Sequence, residues 1–283
     1  MASLYEALAR STTTRLYDQS VAGSGVQSAA LVTPIWQPTL DAQSAAFLSI
    51  SQRANPALPT AFLAPRTLDL GYYRETFPTT QVLTFEPRHF SSVAAYSAWM
   101  TAPEVYRALA GFTWMVLCQT DAVLVRSLRR YLDEVDHQPA PYDYLGARWR
   151  PPVRVLALGT RLVVDSPTGQ PRGPWFARLF GRRLQVGNGG LSIRRIATFE
   201  AVAARITQEL PRRIIEHCYE DVVYCTYGPA RGLRVASAKQ AQAVFAETEV
   251  VGRTELPDAY GFHALARWNP SLAEALLRRF GDA

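Results

Sequence analysis

The first candidate for metal or phosphate chemistry is Gln119-Thr120-Asp121, which directly follows the apolar run Phe112–Cys118. Ligands of open parallel sheets bind beyond the carboxyl ends of the strands, so a carboxylate here is well placed to meet a substrate. Its hard oxygen atoms suit Mg²⁺ or Mn²⁺ bound against phosphates. An aspartate that only caps the following turn explains the same residues equally well.

A glycine-rich segment, Gly187-Asn188-Gly189-Gly190, is a second candidate. Glycines around an asparagine permit positive φ and a close approach of the backbone to a ligand. The alternation of apolar and polar residues that follows predicts a strand. A simple tight turn is the alternative, although a hairpin needs fewer glycines than this.

Residues 142–149 contain tyrosines at 142 and 144, an aspartate and Trp149. Such a group can form a stacking and hydrogen-bonding wall for a sugar or a base. A buried aromatic cluster is the commoner explanation of the same pattern.

Glu220-Asp221 and His263 complete the set of candidate groups. Adjacent carboxylates at a predicted helix start either cap the helix or supply a general base. A lone histidine is usually a packed or surface residue. The alternative for His263 is that it completes a metal site that begins at Asp121.

The elements that must position these groups alternate between short apolar runs and helical patterns. The predicted strands cover 29–36, 60–64, 81–85 and 112–118, and the predicted helices cover 41–53, 91–100 and 103–110. Such alternation predicts an α/β fold with a parallel sheet and helices on both faces.

Three regions lie outside this pattern. Residues 150–184 are rich in proline, glycine and arginine, and we interpret them as an insertion that contains two hairpin-like runs. Residues 271–283 form an amphipathic helix with Ser271 as the predicted N-cap. Residues 1–28 are a polar N-terminal extension.

The 283-residue chain has 30 lysine and arginine residues against 24 acidic residues, and Lys239 is its single lysine. A genomic bias towards arginine explains this composition most simply; the alternative is a protein that handles anions, because guanidinium groups pair well with phosphates. With 48% hydrophobic residues the chain is expected to fold. We expect no membrane span, no signal peptide and no disulfides, and therefore a cytoplasmic protein.

Several enzyme classes are excluded by missing motifs. The sequence has no P-loop, no nucleophile elbow and no His-Glu-x-x-His. Gly23-Ser-Gly25 precedes the first predicted strand, which is the wrong order for a dinucleotide-binding turn.

The order of the motifs is more specific than any one of them. Along the chain, the motifs are an apolar strand that ends in Gln-Thr-Asp, then Tyr-Asp-Tyr-Leu-Gly-Ala-x-Trp, Gly-Asn-Gly-Gly-Leu-Ser-x-Arg, Glu-Asp and Gly-Phe-His. This series resembles the bacterial glycosyltransferase-like family known as domain of unknown function five-six-seven-two. The resemblance covers about residues 29–270. Arg148 departs from it, because that family usually has proline there.

That family is similar to GT-A glycosyltransferases, which implies a GT-A-like (Rossmann-like) α/β fold with a mixed, mainly parallel sheet in a single domain. The implied halves are a nucleotide-sugar-binding half at 29–125 and an acceptor half at 126–270. In such enzymes an Asp-x-Asp motif holds a divalent cation against the donor diphosphate, and here Gln119 replaces the first aspartate. The resemblance implies that Asp121 and His263 are the protein ligands of Mn²⁺ or Mg²⁺.

The resemblance also implies the remaining site residues. Asp221, or Glu220 beside it, would be the base of an inverting displacement, and Arg194 would lie near the diphosphate. The implied donor-binding residues are Pro34, Ile35, Trp36, Arg66, Gln119, Thr120, Asp121, Gly189 and Gly190. The implied acceptor-binding residues are Tyr144, Trp149 and Asn188.

The resulting hypothesis is a transferase that moves a sugar from a nucleotide-sugar donor, preferably a UDP-sugar, to a glycan or glycolipid acceptor in bacterial surface polysaccharide or lipopolysaccharide synthesis. The alternative is a non-catalytic module that binds nucleic acid or an anionic glycan. Arginines scattered without a stripe argue against a nucleic-acid partner. We interpret residues 172–183 first as an acceptor-site lid. A packed loop is the second interpretation, and a peripheral contact with the inner face of the cytoplasmic membrane is the third.

Overall fold

The computed structural model describes residues 27–137, 141–159, 161–165 and 175–281. Most of the predicted N-terminal extension lies outside these ranges. The strands are β1 (Gln27–Pro34), β2 (Thr60–Pro65), β3 (Gln81–Phe85), β4 (Phe112–Cys118), β5 (Ala122–Leu124), β6 (Tyr144–Gly146), β7 (Arg148–Leu158), β8 (Arg161–Asp165), β9 (Arg182–Val186), β10 (Leu191–Arg195), β11 (Phe245–Ala246) and β12 (Gly261–His263).

Helices connect and cover these strands. They are α1 (Ala42–Ala54), α2 (Gly71–Thr76), α3 (Val93–Met100), α4 (Glu104–Ala108), α5 (Arg129–Glu134), α6 (Trp175–Phe180), α7 (Ile196–Glu209), α8 (Arg212–His217), α9 (Glu220–Tyr227), α10 (Ala238–Val244), α11 (Leu265–Trp268) and α12 (Pro270–Phe280). None of the helices described is long and apolar enough to cross a membrane.

The central sheet has six strands in the order β3-β2-β1-β4-β10-β6. The first four are parallel, and β10 runs antiparallel to both β4 and β6. Alternate residues of β4 enter separate cores on the two faces: Met115 and Leu117 pack on one side, and Trp114 and Val116 on the other. The predicted mixed, mainly parallel α/β sheet with helices on both faces is confirmed.

Two smaller sheets flank the central one. In the first, β12 pairs in parallel with β11 and antiparallel with β5. In the second, β7 pairs antiparallel with both β8 and β9. This second sheet contains the two hairpin runs predicted within 150–184, and residues 166–174 lie outside the described part of the chain.

The helix ends follow local capping chemistry. The Asp41 and Ser92 side chains accept hydrogen bonds from backbone N–H groups at the starts of α1 and α3. The predicted cap of the C-terminal helix is wrong by two residues. The Asn269 side chain accepts from the backbone N–H of Leu272, and Ser271 lies in the first turn, because Pro270 takes the first helical position.

Candidate functional site

The glycine-rich segment and the Gln119–Asp121 segment meet at one edge of the central sheet. Because β10 is antiparallel to β4, its beginning lies beside the end of β4, and Leu191 pairs with Cys118. The backbone N–H of Gln119 donates to the carbonyl of Gly190 at 2.8 Å. Thus the edge where ligands of parallel sheets bind carries both segments.

His263 reaches the same edge through the small sheet next to it. β12 pairs with β5 so that His263 lies opposite Ala122, the residue after Asp121. The backbone N–H of Ala264 donates to the Asp121 carbonyl at 3.1 Å, and Ala264 adopts a left-handed conformation with φ 49°. His263 Nε2 therefore lies 3.5 Å from Asp121 Oδ1. The pairing of these two groups proposed from sequence agrees with this geometry.

Glu247, which was not among the predicted site residues, contacts the other nitrogen of the His263 imidazole. Its Oε1 is 3.2 Å from His263 Nδ1, and its Oε2 accepts a 2.7 Å hydrogen bond from the Asn188 amide. Glu247 follows a two-residue strand, and no recognisable motif surrounds it. Its role is visible only once the chain is folded.

The protonation of His263 reflects these neighbours. Burial disfavours the charged ring, but hydrogen bonds and charges from Asp121 and Glu247 outweigh burial and raise the pKa of His263 to about 10. Burial acts to raise the pKa of Asp121, and the histidine reverses this effect, so that the pKa lies below its usual value.

Once His263 Nε2 gives up its proton, as metal binding requires of a histidine ligand, the groups at this edge fit a hard divalent cation. His263 Nε2 is buried, with Asp121 Oδ1 3.5 Å away, while the Asp121 side chain is 55% exposed. A Cβ atom on Gly190 would fall within 3.0 Å of both His263 Nε2 and Gln119 Oε1, so glycine keeps the space between them open. The described residues contain no cluster of three or more acidic, histidine or cysteine ligands. Two protein ligands are enough where substrate phosphates supply the others.

Glu220 lies behind the glycines in a buried ion pair. Its Oε1 accepts from the Arg194 guanidinium at 3.1 Å, and its Oε2 accepts from the Ser97 hydroxyl at 3.1 Å. Arg194 is completely buried and donates also to the Tyr106 hydroxyl at 3.0 Å. Both carboxylate oxygens of Glu220 are therefore paired with protein groups. Its role as the alternative base stays a prediction, and Asp221 is the less enclosed of the two.

Asp221 is oriented by backbone groups. Its carboxylate accepts from the N–H of Gly189 at 3.1 Å and from the N–H of Val222 at 2.7 Å. Burial and the charge of Glu220 raise the pKa of Asp221 to about 7. A carboxyl group with such a pKa exchanges protons near neutral pH, as a general base or acid requires.

The predicted donor-binding residues are divided between the surface and the core. Trp36 is 47% exposed directly beyond the end of β1, and Arg66 follows β2 and pairs with Glu86 at 2.7 Å. The side chain of Ile35 is fully buried in a core cluster. Pro34, Gly189 and Gly190 are buried as well, while Gln119 and Thr120 are partly exposed. Residues 34–36 lie at the end of β1, and their contact with a donor stays a prediction.

The predicted acceptor wall is part of the interior. Tyr144 is completely buried and donates to the Gly187 carbonyl at 2.8 Å, and Trp149 is 9% exposed within the same core. Asn188 uses its amide for Glu247 and accepts from the Gly190 N–H at 2.8 Å. These three residues position the site, and their role as acceptor contacts stays a prediction. Glu220 and Tyr106 enclose Arg194, and its place near the diphosphate stays a prediction.

Comparisons with known proteins agree with this architecture. The family described as "Protein of unknown function (DUF5672)" matches residues 79–263. A crystal structure of the galactosyltransferase LgtC with donor and acceptor sugar analogs is similar, with a TM-score of 0.52 and 10% identity, over 89% of this chain and 95% of LgtC. An active-site mutant of LgtC gives a TM-score of 0.50 and 11% identity over the same shares. A search of curated proteins finds no similar sequence. The chain therefore has a GT-A fold.

Proposed function

The chain belongs to the DUF5672 family, and on this premise we propose that it transfers a sugar from a nucleotide-sugar donor to a glycan or glycolipid acceptor. The GT-A fold supports this proposal, and we favour a UDP-sugar as donor. We place the reaction in the cytoplasm, in the synthesis of bacterial surface polysaccharide or lipopolysaccharide.

One observation carries the proposal: two successive glycines connect a candidate cation site to a candidate base. Gly189 donates its N–H to Asp221 at 3.1 Å, while Gly190 packs against His263 at the position where a side chain would collide. A transferase needs these two functions within one substrate length of each other. One must counter the charge of the leaving diphosphate, and the other must receive the acceptor proton.

In this proposal Asp121 and His263 hold Mn²⁺ or Mg²⁺, which when bound offsets the charge that develops on the diphosphate. Glu247 and Asn188 orient the imidazole so that Nε2 faces Asp121. A carboxylate on the far nitrogen is the usual companion of a histidine ligand, because it sets the tautomer and the ring orientation.

Asp221 is the proposed base of an inverting displacement. The acceptor oxygen forms a bond to the anomeric carbon while the bond from that carbon to the diphosphate oxygen breaks. Asp221 takes the hydroxyl proton, and the nucleoside diphosphate leaves with the bonding electron pair. The partly exposed position of Asp221 and its pKa of about 7 suit this role.

Trp36, Arg66 and Thr120 are the proposed donor contacts outside the cation site. They lie at the same sheet edge as Asp121, since β1, β2 and β4 are parallel neighbours. Trp36 offers an exposed ring for stacking on a nucleotide base, and Arg66 offers a guanidinium group for a phosphate.

The experiment is a panel of nucleotide sugars incubated with the protein, with and without Mn²⁺, in which release of nucleoside diphosphate is measured. We expect turnover with one donor that depends on Mn²⁺ and is lost in Asp121→Asn. Asp258→Asn is the matched control, because this exposed carboxylate pairs with Arg126 away from the site. A lack of turnover and of thermal shift with every donor, together with salt-dependent binding of polyanions, would favour a non-catalytic module instead.

A further inference from the structure

Helix α6 has its apolar side turned towards solvent. Trp175, Leu179 and Phe180 are 69%, 66% and 71% exposed, whereas the small Ala177 is the residue buried against the protein. A surface helix of a globular protein normally turns its large apolar residues inward. Phe180 and Trp175 are the two most exposed large apolar side chains among the described residues.

The orientation of α6 is held by its surroundings. The Gly181 N–H donates to the Ala177 carbonyl at 2.9 Å, and a Cβ on Gly181 would press against that carbonyl and against the carbonyl of Val155 in β7. Arg178 pairs with Asp165 of β8 at 3.3 Å. These contacts fix the inner side of the helix, so the outer side is defined by the fold.

The charge next to this surface is positive. Arg182 and Arg183 are exposed at the start of β9, directly after the helix, and α6 itself contains no acidic residue. Apolar rings beside guanidinium groups match the boundary of an anionic bilayer, where the rings enter the acyl region and the arginines meet lipid phosphates.

We propose that the outer face of α6, formed by Trp175, Leu179 and Phe180 with Arg182 and Arg183, docks on an anionic lipid bilayer. Docking does not depend on the proposed function. If that function holds, docking also selects lipid-linked acceptors, because these are concentrated at the surface on which the enzyme lies.

The test is flotation of the full chain with phosphatidylcholine vesicles that contain or lack phosphatidylglycerol, with no donor or acceptor present. The wild type should float with the anionic vesicles. Trp175→Ser/Leu179→Ser/Phe180→Ser and, separately, Arg182→Gln/Arg183→Gln should each reduce the bound fraction at least tenfold. Val93→Ser/Val251→Ser, which removes exposed apolar side chains elsewhere, should bind as the wild type does.

All replaced side chains are exposed, so circular dichroism and the melting temperature should be unchanged. Wild-type protein that stays at the bottom with anionic vesicles overturns the proposal, as does a triple-serine variant that still floats. If the wild type does not float but forms a dimer, and only the triple-serine variant is monomeric, this face is a contact between two copies of the chain. That result also overturns the proposal. Because the assay contains no sugar donor, its outcome is independent of a failure of the proposed transferase activity.

Discussion

Asp121 Oδ1 and His263 Nε2 lie 3.5 Å apart although the two residues belong to distant parts of the chain. The antiparallel pairing of β12 with β5 places them together, and the hydrogen bond from the Ala264 N–H to the Asp121 carbonyl closes the turn between them. The pair presents one carboxylate oxygen and one imidazole nitrogen at the edge of the central sheet.

Asp121→Asn should weaken binding of a nucleotide sugar in the presence of Mn²⁺ at least tenfold and leave metal-free binding unchanged. The amide keeps the shape of the side chain but loses the charge that a cation requires. Titration calorimetry with and without Mn²⁺ measures both effects. Equal metal-dependent binding by Asp121→Asn and Asp258→Asn would exclude Asp121 as a ligand.

Glu247→Gln should lower Mn²⁺ affinity by about 10–100-fold, because it removes the carboxylate that orients His263. The Mn²⁺ affinity is measured by electron paramagnetic resonance of the free ion, a measurement that does not require the enzyme to be active. Glu249→Gln is the matched control, since Glu249 is also buried but bonds to the Glu247 backbone N–H instead of the imidazole. Equal affinities of the two variants would show that Glu247 has only a structural role.

Gly190→Ala should displace His263 and abolish Mn²⁺-dependent donor binding. The added methyl group would fall within 3.0 Å of His263 Nε2 and Gln119 Oε1, and such overpacking costs about 1–3 kcal/mol of stability. Urea unfolding and Mn²⁺ titration measure the two consequences. Gly71→Ala, whose nearest contact is a flexible aspartate side chain at 3.3 Å, should change neither. Normal Mn²⁺ binding by Gly190→Ala would contradict the proposed packing.

Asp221→Asn should retain donor binding and reduce transfer at least 100-fold. The wild-type transfer rate should rise with pH through about 7, as the carboxyl group loses its proton. A transfer rate independent of pH between 6 and about 8, or an Asn variant of normal activity, would remove Asp221 as the base. The anomeric configuration of the product tests inversion.

The same residue predicts a pH dependence of stability. The pKa of Asp221 is about 7 in the folded protein and near 3.8 in an unfolded chain, so the folded state binds more protons between these values. The free energy of unfolding therefore falls as pH rises through this window. Asp221→Asn removes this contribution, and it should gain stability relative to the wild type between pH 5 and about 8 in urea titrations. A constant difference between the two proteins would contradict the raised pKa.

Glu220→Gln should destabilise the protein by about 3–5 kcal/mol, since it leaves the buried Arg194 charge without its carboxylate. Glu200→Gln is the matched control: it breaks a more exposed pair with Arg107 at 3.0 Å and should cost less than about 1 kcal/mol. Chemical denaturation compares the two. Similar small losses would mean that the buried pair contributes little.

The elements were predictable because their signals are local. The strand Phe112–Cys118 is apolar on both faces, as a strand covered by helices on both sides must be, and Ser92 and Asp41 mark helix starts by their own capping bonds. The cap of α12 was misplaced by two residues because proline at 270 competes with Ser271, and this competition depends on the geometry of the turn.

Local patterns and the order of the motifs were enough to predict the fold class and the family. The partners and the burial of each polar side chain follow only from the folded chain. Glu220 and Asp221 are neighbours in sequence, yet helix α9 turns one towards Arg194 and the other towards Gly189. Tyr144 and Trp149 could line a sugar site or pack in the core by their sequence pattern, and the structure buries both side chains in the core. The exposure of a side chain and the groups that it contacts depend on residues from distant parts of the chain. A local sequence pattern therefore does not contain this information.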